Sequence, residues 1–119
     1  MLGNTLVLPQ AGGDITLIKI NQDGYSSEYL FRNTTVQYRA KIRHTTIPAK
    51  GTAPAYDRHN FEVVKTTFEA GGVAEFYEKF YFVLENKLGT TSVALSDAVA
   101  DLAIASSNAF LTSLMSWES

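Results

Sequence analysis

Cysteine is absent from the 119 residues, and proline occurs only three times. Without thiols there can be neither a disulfide framework nor a thiolate metal site, so the fold must hold by packing, against itself or against a partner. Charge is also sparse, at 18% Asp, Glu, Lys and Arg with a formal net charge of −2. That balance excludes whole-molecule attraction to nucleic acid and confines any such binding to a locally basic face. The opening stretch from Met1 to Pro9 lacks the basic region and apolar run of a signal peptide, and no uninterrupted apolar stretch approaches a membrane span. A soluble protein with no contact with a membrane is expected.

Catalytic motifs are missing too. There is no Gly-rich phosphate loop before a helix, no HExxH, no nucleophile elbow and no cysteine nucleophile. The two histidines, His44 and His59, fall on different strands, on the apolar side with Ile42 and Phe61, and no carboxylate or nucleophile is spaced with them. Hydrogen-bonded or interface histidines are expected there. Asp14 and Asp23 suit turns, and Asp97 and Asp101 suit a solvated helix stripe. No catalytic residue, metal ligand or cofactor is expected, and no small-molecule substrate.

What the chain does contain is 45% hydrophobic residues, with seven Phe, six Tyr and one Trp. One folded domain over residues 1–119 follows from that size and composition. Residues 1–87 read as strands, in short runs of Thr, Val, Ile, Tyr and Phe broken by turn residues. Leu6–Pro9 and Asp14–Ile20 form a hairpin around Gln10-Ala-Gly-Gly13, Asn21–Gly24 is the next turn, and Ser26–Phe31 is a third strand. From Val36 to Thr45 the alternation puts Val36, Tyr38, Ala40 and Ile42 on one face and Gln37, Arg39, Lys41, Arg43 and Thr45 on the other. Tyr56–Phe68 continues that pattern. Ala74–Glu85, apolar on one side and tyrosine-bearing on the other, belongs near the middle of a sheet, and Glu78 interrupts its apolar row.

Helical periodicity takes over after Gly89, with Thr90, Thr91 or Ser92 as cap and Leu95, Val99 and Leu102 in one stripe. Ser106, Ser107 and Asn108 supply a break, and Phe110, Leu111 and Leu114 follow in a second apolar stretch, so two helices within residues 90–117 are expected. Apolar residues extend well round both. Such helices need cover from two directions, which points to a second copy of the chain.

The polar side of the last three strands gathers Arg39, Lys41, Arg43, Arg58, Asn60, Tyr77, Lys79 and Tyr81. Cations among exposed rings and amides are what single-stranded RNA requires, for phosphates, unstacked bases and base edges respectively. The same residues also suit a solvated sheet face, and Glu62 on that face works against a purely basic surface.

In order and spacing, the whole layout resembles the coat proteins of single-stranded RNA bacteriophages of the levivirus type, most specifically from the Val36–Thr45 strand to Asn86–Ser92 leading into the helix. The resemblance implies an α+β fold: an antiparallel sheet with an N-terminal hairpin, followed by two C-terminal α-helices that lie across the partner in an interlocked homodimer. Dimers would tile an icosahedral T=3 shell assembled in the bacterial host cytoplasm. Carried over, the RNA side is Arg39, Lys41, Arg43 and Thr45, then Arg58, Asn60 and Glu62, then Tyr77, Lys79 and Tyr81. The family's hairpin binding, with translational repression, is implied as well. The loop at residues 69–73 is short for this family. A cellular dimer that binds single-stranded nucleic acid without forming a shell is the competing reading, and a small-ligand or enzymatic α+β domain is a further one.

Overall fold

In a computed structural model describing residues 2–119, the alternating segments form six strands: β1 (Thr5–Leu8), β2 (Ile15–Asp23), β3 (Ser26–Arg32), β4 (Val36–Ile47), β5 (Tyr56–Thr67) and β6 (Phe76–Lys87). All pairings are antiparallel and the spatial order is the chain order. The chain divides into two units, one ending at Leu88 and the other spanning Gly89–Ser119.

Local chemistry sets the turns. The β1–β2 hairpin closes through Gly12 and Gly13, both at positive φ, with Gly13 N–H donating to the Gln10 carbonyl at 3.2 Å. The expected turn at residues 21–24 is tighter than the sequence implied: Asn21 and Gln22 stay in β2, and Asp23 pairs with Ser26 around Gly24 at φ 58°. Between β3 and β4 the Asn33 Oδ1 accepts the backbone N–H groups of Thr35 and Val36 at 2.7 and 2.8 Å, an Asx-type reversal.

One register irregularity changes which side chains face where. Lys19 opposes Tyr29 but Asn21 opposes Glu28, so Ile20 is an extra residue in a bulge. Without the bulge Lys19 and Asn21 would share a face. With it, Lys19 lies over the Tyr29 ring at 5.6 Å while Asn21 joins the opposite, polar side.

The core is the apolar side of the sheet. Leu17, Tyr29, Tyr38, Ala40 and Ile42 are buried, with Leu6, Leu8, Ile15, Phe31, Val36, Phe61 and Val63 packed round them. A flat single sheet could not bury Leu17 and Tyr29 completely. Contact between β2 and β4, which are not ladder neighbours, shows that the sheet curls over its own apolar face. The Tyr29 hydroxyl donates to the Gly3 carbonyl at 2.8 Å, so burying the ring leaves no polar atom unpaired.

The position expected for β6 is corrected here. It is the edge strand, not a central one, because a strictly sequential meander leaves the last strand only β5 to pair with. Its apolar row is correspondingly open, with Phe76, Phe80 and Phe82 all exposed. Glu78, which interrupts that row, stands directly opposite Lys65.

The second unit holds the helical span α1 (Ala94–Met115), two helical stretches joined across a kink. The break expected at Ser106–Asn108 is present as a kink: Ala105 is extended, and Ser106, Ser107 and Asn108 adopt left-handed angles. Val93, not Thr90, Thr91 or Ser92, is the N-cap residue, although the Ser92 hydroxyl lies 3.4 Å from the Ala94 N–H. By length and composition alone the whole span is long and apolar enough to cross a membrane. Asp97 and Asp101 lie within it, and the kink divides it into 94–104 and 109–115, each far short of the ~20 residues a crossing needs.

Candidate nucleic-acid interface

The face opposite the core can be read row by row from the ladder. Thr45 opposes Arg58, and Arg58 opposes Glu85. The next row is Ser26, Arg43, Asn60 and Val83, then Glu28, Lys41, Glu62 and Tyr81, then Leu30, Arg39, Val64 and Lys79, and last Arg32, Gln37, Thr66 and Tyr77. Cross-strand partners share a face about 5 Å apart. All ten residues singled out from the sequence, Arg39, Lys41, Arg43, Thr45, Arg58, Asn60, Glu62, Tyr77, Lys79 and Tyr81, therefore lie on one surface of β4, β5 and β6.

Charge on this surface is organised, not uniform. Arg39 Nη1 donates to Glu28 Oε2 at 2.9 Å, and Lys41 Nζ lies 3.9 Å from the other oxygen of the same carboxylate. Lys79 Nζ lies 3.0 Å from Glu62 Oε1. That hydrogen bond is the main reason the Glu62 carboxyl titrates below the ordinary carboxylate range; partial desolvation opposes it, and the charges of Lys79, Arg43 and Lys41 add to it. Lys79 is in turn pushed above the usual lysine value, first by the hydrogen bond to Glu62 and then by its charge. Arg43 has a long contact, 3.5 Å from Nη2 to Asn60 Oδ1, which leaves most of its guanidinium fork free for another acceptor.

Cations still exceed carboxylates: Arg32, Arg39, Lys41, Arg43, Arg58, Lys79 and Lys87 against Asp23, Glu28, Glu62 and Glu85. Tyr77 and Tyr81 are 68% and 60% exposed, and Lys79 Nζ sits 5.7 Å from the Tyr81 ring centroid. Rings this open can accept a stacked base, and the nearby ammonium can neutralise a phosphate. Two shallow depressions mark the surface, one between β5 and β6 lined by Val64, Thr66, Tyr77 and Lys79, the other beside β2 lined by Asn21, Glu28, Lys41 and Arg43.

Sequence reasoning gave Glu28 no part in this surface. The alternation of Ser26, Glu28, Leu30 and Arg32 carried the signal, but its meaning depends on β3 pairing beside the basic strand. The histidines are closer than their separation in sequence implied: His44 and His59 are direct cross-strand partners, with Nδ1 atoms 2.9 Å apart, on the apolar side. Among the described residues no three His, Cys, Asp or Glu side chains converge on a point where a metal could sit.

The residues expected to meet a second copy are open in the single chain. Leu95, Val99, Leu102, Phe110 and Leu114 are exposed, Leu95 by 81%, and Leu111 is half-buried. No residue of α1 is buried.

No curated protein matches the chain. Residues 3–87, from before β1 to the end of β6, match the family described as phage phiCb5, coat protein. Well over half of the sequence is covered, including every residue of the polar grid. The chain therefore belongs to the phage phiCb5 coat protein family and is a structural, self-assembling subunit of a phage capsid.

Proposed function

We propose that this coat subunit serves a single-stranded RNA bacteriophage of the levivirus type and binds the genome through the polar face of β4, β5 and β6. Two copies form an interlocked homodimer in which α1 of each covers the apolar sheet face of the other. Dimers tile a T=3 icosahedral shell in the bacterial host cytoplasm, with the grid facing inward. The same face takes an RNA hairpin, and through it represses translation.

The observation that carries this reading is the juxtaposition of basic side chains and open tyrosines on the side of the sheet that the core does not use. Arg43 and Arg58 offer charge to phosphates, Asn60 and Thr45 offer hydrogen bonds to base edges, and Tyr77 and Tyr81 offer stacking planes. Supporting it on the other side are Phe76, Phe80 and Phe82, whose exposure on a folded subunit calls for cover. Many weakly basic copies summed over a shell hold RNA without a strongly basic subunit, and such binding falls steeply with salt.

Expression in bacteria tests the proposal directly. Megadalton particles containing nuclease-protected RNA are expected; particles free of RNA would remove the assigned inner face. A soluble dimer that never forms particles would favour a nucleic-acid-binding dimer without a shell.

A further inference from the structure

The chain has two histidines, and the β4–β5 register sets them directly opposite each other. We propose that His44 and His59 form a bidentate imidazole site for a divalent transition-metal ion of the zinc, nickel or copper class. The ligand atoms are the two Nδ1 nitrogens, 2.9 Å apart, on rings that meet edge to face at 69°. The site belongs to the fold of one chain and depends on neither the dimer nor the RNA reading.

That spacing is the one two neighbouring ligands take on a single ion. Metal–nitrogen bonds of about 2.0–2.1 Å, at angles between square and tetrahedral, put the nitrogens about 2.8–3.4 Å apart. A hydrogen bond between the rings has the same length, so a proton and a metal ion compete for the same two nitrogens. Ligand type selects the ion. Imidazole suits zinc, copper and nickel, whereas calcium and magnesium take oxygen, and the chain has no thiolate to draw a softer ion elsewhere.

The surroundings favour a cation. Leu84 stands opposite His59 in the same row, Ile42, Phe61 and Phe82 form the row on one side, and Thr46, Asp57 and Asn86 form the row on the other. Asp57 is the one charged residue in these three rows, and it is an acid. Arg43 and Arg58, next in sequence to the two histidines, lie on the opposite face of the sheet. His44 is exposed and His59 half-buried, so an ion can reach the pair from solvent. With two protein ligands, the remaining coordination positions go to water. Such an ion acts as a staple between β4 and β5, three residues from the ends of both strands at the 48–55 connector.

Zinc chloride added to the untagged protein tests the site, with histidine carbethoxylation by diethyl pyrocarbonate read by mass spectrometry. A metal-bound Nδ1 leaves the ring's other nitrogen carrying its proton, with no lone pair to react. Zinc should therefore protect both histidines together, at one ion per chain, and calcium chloride should protect neither. His44→Gln and His59→Gln should each weaken zinc binding in equilibrium dialysis by about a hundredfold, since each turns a two-point attachment into a single one. In the wild type, zinc at one hundred times its measured Kd should raise the folding equilibrium constant roughly a hundredfold, seen in urea midpoints. Zinc that leaves either histidine as reactive as before, or calcium that protects them equally, would overturn the proposal. So would a glutamine variant that binds zinc as tightly as the wild type. Should a variant fail to fold, wild-type protection decides alone.

Discussion

Glu62 and Lys79 meet on a diagonal of the β5–β6 ladder, each opposite a different residue, yet with charged atoms 3.0 Å apart. Glu62 carries a depressed carboxyl pKa because Lys79 hydrogen-bonds its ionised form. A group whose pKa is lower folded than unfolded contributes stability above its unfolded value, and that contribution is lost as pH falls through the folded one. Acid titration of unfolding should show a component below the ordinary carboxylate value of 4.5 that Glu62→Gln removes. Lys79 runs the other way: its pKa is raised, so its contribution is complete below 10.5 and lost as pH climbs past the raised value. Denaturation midpoints measured against pH for wild type and Glu62→Gln check both limbs.

Neutralising Arg39, Lys41 and Arg43 together should lower the RNA retained by purified particles while leaving dimers intact. Arg39 and Lys41 already share Glu28, so Arg43→Ala alone should account for a larger part of the loss than either of the other single changes. Absorbance ratios and extracted RNA per particle give the measurement. RNA content unchanged in the triple variant would count against this face.

Leu102→Asp should leave the strand-bearing unit folded, because Leu102 is 49% exposed in the single chain. It should abolish the soluble dimer, since a carboxylate buried unpaired in an apolar interface costs about 3–5 kcal/mol. Sedimentation together with circular dichroism separates loss of association from loss of fold. An unchanged dimer would remove α1 from the interface.

Tyr81→Ala should weaken binding to a hairpin with unpaired bases by about 1–3 kcal/mol, the usual worth of one stacked base, and weaken a duplex of equal length far less. Filter binding of the two RNAs tests the difference. Equal losses would assign Tyr81 to packing.

In the core, Leu17→Ala should cost about 2–5 kcal/mol, because Leu17 is fully buried and its neighbours are held by the ladder. Tyr29→Phe removes only the bond to the Gly3 carbonyl and should cost about 1 kcal/mol. Urea midpoints of the two variants should rank in that order.

The faces of β4 and β5 were legible from the sequence because alternation is a local property: Tyr38, Ala40 and Ile42 had to point together whatever lay next to them. Adjacency was not legible. Glu28 became a partner of Arg39 only once β3 was beside β4, and His44 met His59 only once the β4–β5 register was set. β6 looked central because its composition, apolar on one side and tyrosine-rich on the other, suits a strand covered on both faces; in one chain it has the composition without the cover. The Ile20 bulge was hidden for the opposite reason, since Lys19 and Asn21 follow ordinary alternation and only the pairing with Tyr29 and Glu28 betrays the extra residue. The helical break fell on the residues that mark it, Ser106, Ser107 and Asn108.

The strictly sequential strand order also bears on how the subunit is made. When every strand's neighbour in space is its neighbour in the chain, a sheet can zip up hairpin by hairpin without long-range strand crossovers. β6 follows the other five strands in the chain, so its free edge is synthesised only after them.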